Sequence, residues 1–394
     1  MENKEMKQDS NLNDIMEATI KNVDSGASPE KAAMQAQALY NYQEHPAEQY
    51  FTSGKWDADR AILKNTKLVT GYQNMDGLQA LYPGLYVIGA IPSLGKTTLI
   101  HQMADQIAYR KQPVLYFSYE QSANELYAKA ISRRIHMKVK SLPSSAQYND
   151  YTAMELRRGL ADGTKEQSEQ IDNYTKDVEN YLDVVECNFD CPVETIQAIV
   201  DKKITSSPGC PPPVVIIDYL QVIHASAVNG KVITDQRLSV DHTIKALKQM
   251  QKQNNLAVIV ISNLNRMNYM LPVDFESFKE SGGIEYTADV IWGMNLTLTS
   301  DPDFEFKVMN NKTGARKERS LREKRKMLQN AKGAPVRDIE VVVLKNRFGP
   351  TGVSLYFEYE PKYDTFMAST LDRYNKHKKQ LGLMNVEEED DSDE

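Results

Sequence analysis

Residues 85–98 read LYVIGAIPSLGKTT: an apolar run of strand length, a loop holding Pro92 and Gly95, and then Lys96, Thr97 and Thr98 opening a helix-compatible segment. A loop between a buried strand and a helix aims backbone N–H groups and the positive end of the helix at one point, which is the geometry that holds a phosphate chain. The spacing is that of GxxxxGK[ST] with one change: Ala90 stands at the first glycine position and Gly89 precedes it. In this reading Ala90, Pro92, Ser93, Leu94, Gly95 and Thr98 surround a nucleoside triphosphate. Lys96 reaches its terminal phosphates and the Thr97 hydroxyl ligates Mg²⁺. The competing reading is a helix that merely begins with GKTT.

The surrounding chain repeats the strand and helix alternation. VLYFS (114–118), YLDVV (181–185), VVIID (214–218) and LAVIVIS (256–262) are short runs rich in Val and Ile, separated by segments of helix length. Such runs predict a mainly parallel sheet covered on both faces, a doubly wound α/β core. Between them, Val240, Ile244, Leu247 and Met250 repeat at the helical turn, predicting one buried face for a helix over 235–253. VVVLKNRFGPTGVSLYFEY (341–359) reads as two strands joined through Gly349, Pro350, Thr351 and Gly352, a hairpin at the end of the sheet. Asp218 closes VVIID at the carboxyl end of a buried strand, where open α/β sheets bind ligands, and is expected to hold Mg²⁺ directly or through water. Alternatively it caps the following turn. Glu120, just after VLYFS, is placed to orient or deprotonate an attacking water; the plainer reading is a surface glutamate after a strand.

The chain has 394 residues, 41% hydrophobic and 26% charged, the balance of a folding globular protein of one large or two ordinary domains. No apolar run approaches the roughly 18 residues of a membrane span. Cys187, Cys191 and Cys210 lack paired CxxC spacing, so neither a zinc site nor a disulfide framework is indicated and a reducing cytoplasm is expected. The net charge of −7 hides two opposite segments. Residues 307–337 hold 11 Lys and Arg against 2 Glu, whereas residues 387–394 carry seven carboxylates in eight positions. A mildly acidic body argues against coating nucleic acid over the whole surface and leaves room for a confined basic channel or loop. Domain boundaries are expected at about 68 and 370. Residues 1–68 read as a helical extension and linker, with a helix capped by Ser28 and begun by Pro29. Residues 300–335 read as a basic insertion without a strand pattern, and 371–394 as a disordered polar, acidic tail. RKERSLREKRK (316–326) is open between contacting a DNA backbone and forming a solvated helix with Glu to Lys or Arg pairs.

IPSLGKTT, FSYE, VVIIDYLQ, VISNLNR, KESGGIEYTADVI and VLKNRFGPTG occur in that order. Together they resemble the RecA-like motor domain of DnaB-type replicative DNA helicases, including phage and mobile-element forms, over about residues 70–366. Those helicases share the alanine-like start of the phosphate loop. The resemblance implies an ATP- and Mg²⁺-dependent ring, usually a homo-hexamer, that encircles single-stranded DNA, moves 5′ to 3′ and unwinds forked DNA. By position, Lys96 and Thr97 would bind phosphate and Mg²⁺, Glu120 would activate water, Asp218 would serve the metal, and Asn263 would sense the terminal phosphate. Lys345 and Arg347 match the cations that such helicases insert into the neighbour's ATP site; residues two apart on a strand share a face, so both could reach one phosphate. Taken without the family they read as solvated cations on an edge strand. Lys279, Glu280, Ser281 and Gly282 match a DNA-contacting loop, and Arg266 lies near another. Asn263 stands where Gln is usual, an amide about 1.5 Å shorter. The primase-binding N-terminal domain of the family is replaced by some 70 residues of helix and linker, so primase and loader proteins enter only as candidate partners. The rival classes are a RecA-like repair or recombination ATPase that forms filaments, and a nucleotide-binding adaptor that does not unwind.

Overall fold

The strand-length apolar runs become strands because every position along them is screened from water. In β1 (Gly84–Ala90), β2 (Val114–Ser118) and β4 (Val214–Asp218) all residues are buried, as a strand covered on both faces requires. With β3 (Leu182–Glu186), β5 (Ala257–Asn263) and β6 (Val290–Leu296) they form six parallel strands in the order β3-β2-β4-β5-β1-β6. The first five were legible as apolar runs; β6 was not, because Gly293 and Asn295 interrupt VIWGMNL. The computed structural model describes residues 47–380 apart from 66–67, 79–80, 189–190, 224–234, 266–269, 279–281 and 311–314. Contacts divide the chain into two units, Met1–Asn65 and Thr66–Glu394.

In the first unit α1 (Ala47–Thr52) and α2 (Lys55–Asn65) gather Tyr50, Phe51 and Trp56, with ring centroids 5.6 to 6.5 Å apart. The helix expected after Ser28 lies outside the described residues. In the second unit, α3 (Gln73–Leu78) precedes β1, and α4 (Lys96–Tyr109) leaves the phosphate loop with Leu99, Ile100, Met103 and Ile107 buried. Next come α5 (Ala123–Ser141), α6 (Ala153–Arg157), α7 (Lys165–Val178) and α8 (Val193–Ser206), the first two opened by Ser122/Glu125 and Thr152/Glu155 capping boxes. On α9 (Gln236–Asn254), Val240, Ile244, Leu247 and Met250 are all buried, forming the face predicted from their spacing.

Beyond β6 the sheet changes direction. After α10 (Gly282–Thr287), β6, α11 (Pro302–Glu305), a two-stranded ribbon of β7 (Phe306–Asn310) and β8 (Ala315–Glu318), and α12 (Leu321–Gly333), β9 (Arg337–Asn346) pairs antiparallel to β6. Then β10 (Ser354–Glu360) and β11 (Thr365–Ser369) complete a nine-stranded sheet, the predicted hairpin extended by one strand. Two expectations need correction. The basic stretch 300–335 contains the β7–β8 ribbon and α12; the helix overlaps the solvated-helix alternative for 316–326, whereas the ribbon gave no strand signal because FKVMN and ARKE carry no sustained apolar alternation. Of the tail expected to be disordered, the first ten residues form α13 (Leu371–Gln380). It is held by a buried Tyr374 whose hydroxyl donates to Asp301 Oδ2 at 2.7 Å and by Lys378, which bridges Asp301 and Asp303 at 2.7 and 2.8 Å. Residues 387–394 lie outside the described residues.

Candidate nucleotide site

The loop predicted to hold phosphate sits between the end of β1 and the start of α4, with Ser93 and Gly95 at positive φ (67° and 90°). Gly95 is required twice over. Its φ disfavours a side chain, and a Cβ there would lie 2.8 Å from the Tyr359 ring. That ring, stacked 4.2 Å from Phe366, belongs to the β10–β11 hairpin, so the far end of the sheet forms the wall behind the loop. Pro92 and Ser93 are exposed, Leu94 is buried, and Thr98 donates from its hydroxyl to Asp364 Oδ1 at 3.1 Å.

Parallel pairing brings the other residues to the same edge. Ala90 is in register with Asn263 at the end of β5, and Ser118 with Asp218 across β2 and β4. Lys96 Nζ donates to Asn263 Oδ1 at 2.5 Å. The Asn263 amide, shorter than the family's usual glutamine, therefore still reaches the phosphate-loop lysine. Asp218 is almost wholly buried. Burial raises its carboxyl above the usual carboxylate range, opposed by hydrogen bonds from Thr97 and Tyr116 and by the Lys96 charge. Burial lowers the Lys96 amine, which Asp218 and Glu120 oppose. Glu120 stands at the exposed rim; partial burial and then Asp218 raise its carboxyl, with Lys96 working against them. Tyr119 N donates to the backbone carbonyl of Asp218 at 2.9 Å, tying the Glu120 segment to the end of β4. The donors are one cation, one hydroxyl and hard carboxylate oxygens beside a loop of backbone amides, the set that suits a magnesium triphosphate.

Two residues at this edge were not singled out from sequence. Gln221, inside the VVIIDYLQ motif, donates to Ser262 Oγ at 2.8 Å and accepts from Asn263 N at 3.2 Å, fixing the end of β5 to β4. Its position three residues after Asp218 was the available signal. Arg337, at the start of β9, donates to the loop carbonyl of Ser93 at 2.9 Å; nothing local in its sequence foretells that contact.

Lys345 and Arg347 lie elsewhere. Lys345 pairs with Ile291, which pairs with Val87, and Arg347 N donates to Asp289 O while Asp289 Oδ2 accepts from Leu85 N at 2.7 Å. Arg347 is therefore level with the beginning of β1 and Lys345 with its middle, whereas the phosphate loop begins at its end. The five steps from Leu85 to Ala90 span roughly 16 Å at about 3.3 Å per residue, and the three from Val87 to Ala90 roughly 10 Å. Arg347 Nη1 is held at 3.0 Å by Asp289 Oδ1, a buried carboxylate that also pairs with Lys248, and Lys345 Nζ donates to Glu285 O at 2.5 Å. Of the expected DNA-contacting residues, Gly282 opens α10, and Arg266, Lys279, Glu280 and Ser281 lie outside the described residues.

A candidate phosphate-loop edge, an antiparallel extension beyond β6 and a Lys-x-Arg pair set back from that edge accompany a family-level match: residues 67–368 fit the DnaB-like helicase C-terminal domain. The chain belongs to that family. Among curated relatives, it is 28% identical over 234 residues to the replicative DNA helicase DnaB of Leifsonia xyli, covering 57% of this chain and 46% of that one. The chain thus spans about half the length of that relative. Among solved structures it resembles a separately solved ATPase domain, with a TM-score of 0.61 at 18% identity over 83% of this chain and 100% of the other. It also resembles "The Structure Of A DnaB-Like Replicative Helicase And Its Interactions With Primase", with a TM-score of 0.58 at 18% identity, covering 92% and 77%. Both likenesses concern the fold, the RecA-like mixed sheet flanked by helices. No helix among the described residues is long and apolar enough to cross a membrane.

Proposed function

We propose that this DnaB-family chain is an ATP-driven DNA helicase motor that assembles as a ring, with six subunits the expected number, and moves 5′ to 3′ along single-stranded DNA. What supports the reading is the separation, along the length of β1, of the residues assigned to one site. Lys96, Thr97, Glu120, Asp218 and Asn263 stand at the carboxyl end, Arg347 roughly 16 Å away level with the amino end, and Lys345 roughly 10 Å away level with the middle. A single chain cannot bring these groups together. A head-to-tail ring can, because each seam sets the carboxyl edge of one sheet against the opposite edge of the next.

At such a seam the loop amides from Ala90 to Gly95 and the Lys96 amine bind the phosphates, and the Thr97 hydroxyl and Asp218 would hold Mg²⁺. When bound, the ion neutralises charge on the phosphate oxygens. Glu120 takes the proton of the attacking water, and burial favours this by making its carboxylate a stronger base. Asn263 holds the Lys96 amine in place. The neighbour's Arg347 and Lys345 counter the charge that develops on the transferred phosphoryl group. Arg266, Lys279, Glu280, Ser281 and Gly282 are the residues assigned to single-stranded DNA, through phosphate contacts without base readout.

We further assign residues 69–370 to the motor and 1–68 to a helical extension, with a cytoplasmic location. Primase or loader proteins are the partner classes to test by pull-down. Strand displacement on a forked DNA with a 5′ tail tests the function. Wild type should unwind with ATP and Mg²⁺ and fail without either, and Lys96→Ala and Arg347→Ala should both be inactive. Robust ATP turnover without displacement of any fork would refute the helicase assignment.

A further inference from the structure

The basic segment outside the motor's nucleotide edge folds into one surface. Helix α12 turns Lys324, Leu328 and Ala331 inward and leaves Arg322, Arg325 and Lys326 exposed on the opposite side, at spacings of three and four residues. Lys324 pairs with Glu305 at 2.6 Å and with Glu318 at 3.7 Å, fastening the helix to α11 and the ribbon. On the ribbon Lys307 lies directly opposite Lys317, both exposed. The two parts adjoin. The Glu323 carboxyl is held low first by Ser320, its partner in the capping box, and further by the charges of Arg319 and Lys307. Among the described residues, Lys307, Lys317, Arg322, Arg325 and Lys326 form no ion pair.

Two features of this surface are unfavourable for folding alone. Like charges directly across a two-stranded ribbon repel each other. The helix stripe carries three cations with no acidic residue at the compensating spacing, since Glu323 is committed to the cap. Both features become favourable against a polyanion. The class of polyanion follows from what the surface lacks. Exposed single-strand sites commonly add aromatic faces for base stacking to their phosphate contacts, and the helix stripe has none. Phe306 precedes Lys307 on the strand and therefore points to the other face of the ribbon. A rigid array of cations without stacking groups suits the phosphates of a duplex.

We propose that the β7–β8 ribbon and α12 form a duplex-DNA backbone site, made by Lys307, Lys317, Arg322, Arg325 and Lys326 and separate from the single-strand contacts of the motor. The site reads no sequence, needs no nucleotide, and gives the protein a hold on double-stranded DNA. Because binding here does not depend on ATP chemistry, its test is independent of the helicase reading.

The test uses the full chain without nucleotide and fluorescence anisotropy of a labelled blunt duplex of about 20 base pairs, titrated from 50 to 200 mM salt. A triple variant, Arg322→Gln with Arg325→Gln and Lys326→Gln, should weaken duplex binding at least about tenfold at 100 mM salt. It should also flatten the slope of log affinity against log salt by about 2.7, the value for three lost phosphate contacts. Lys307→Gln with Lys317→Gln should weaken it as well while leaving thermal stability equal or higher, because a cross-strand repulsion is removed. Single-strand-stimulated ATP turnover should change less than twofold in both. Wild-type duplex affinity and salt slope in both variants would overturn the proposal. So would a loss of single-strand binding equal to the loss of duplex binding, since the surface would then be part of the motor's own track.

Discussion

Subunits that are inactive for different reasons should rescue each other if the nucleotide site is shared between copies. Arg347→Ala removes a guanidinium whose counterparts in other phosphoryl-transfer enzymes supply about 10³ to 10⁵ in rate. It should do so without unfolding the chain. The side chain is about half exposed in its pair with Asp289, which keeps Lys248 and the Leu85 amide as partners, so the stability cost is at most about 1 kcal/mol. Lys96→Ala removes the phosphate-binding amine from the other side of the seam. In a ring assembled at random from equal amounts, a seam works only where the subunit supplying the loop is the Arg347 variant and the one supplying the cations is the Lys96 variant, about one seam in four for head-to-tail contacts. Turnover should therefore rise from a thousandth of wild type or less to roughly a quarter. Phosphate release with single-stranded DNA measures the rate, and native mass spectrometry establishes mixing. Co-assembled rings no more active than the separate variants would refute the argument from opposite ends of β1.

Gly95→Ala places a methyl group 2.8 Å from the stacked Tyr359 ring at φ +90°, a cost of about 1–2 kcal/mol for the backbone alone. Thermal melts should shift down by several degrees and nucleotide affinity should fall more than tenfold; unchanged melting and affinity would mean the loop does not need its observed conformation. His101 is fully buried on α4, and burial depresses its imidazole to about 4 from an unperturbed 6.5. The unfolded chain takes up this proton first, so the contribution is fully present above pH 6.5 and is lost as pH falls toward 4. It totals about 3 kcal/mol at 1.36 kcal/mol per unit. Denaturant titrations across that window should show a flatter pH dependence for His101→Leu; identical curves would remove His101 from the acid response.

Features carried by local period and spacing were readable from the chain before any folding was considered. LYVIGAIPSLGKTT announced a strand, a phosphate loop and a helix, the Val- and Ile-rich runs announced buried parallel strands, and Val240, Ile244, Leu247 and Met250 announced a helix face. These were legible because burial on one or both sides imposes a period of two, or a continuous apolar run, or a period of 3.6 within a few residues. Strand β6 escaped that test because a glycine and an asparagine broke its run, and the ribbon escaped it because FKVMN and ARKE are short and carry no sustained alternation. The alignment of distant segments came from packing. Register across β5, β1, β6 and β9 put Asn263 on Lys96 yet left Arg347 level with the far end of β1 and Lys345 halfway along it. The β10–β11 hairpin set Tyr359 behind Gly95, and β9 brought Arg337 to Ser93. Pairing of strands separated by a hundred residues or more is fixed by long-range packing, which no window of sequence contains, and that pairing decides which of the candidate residues one chain brings together.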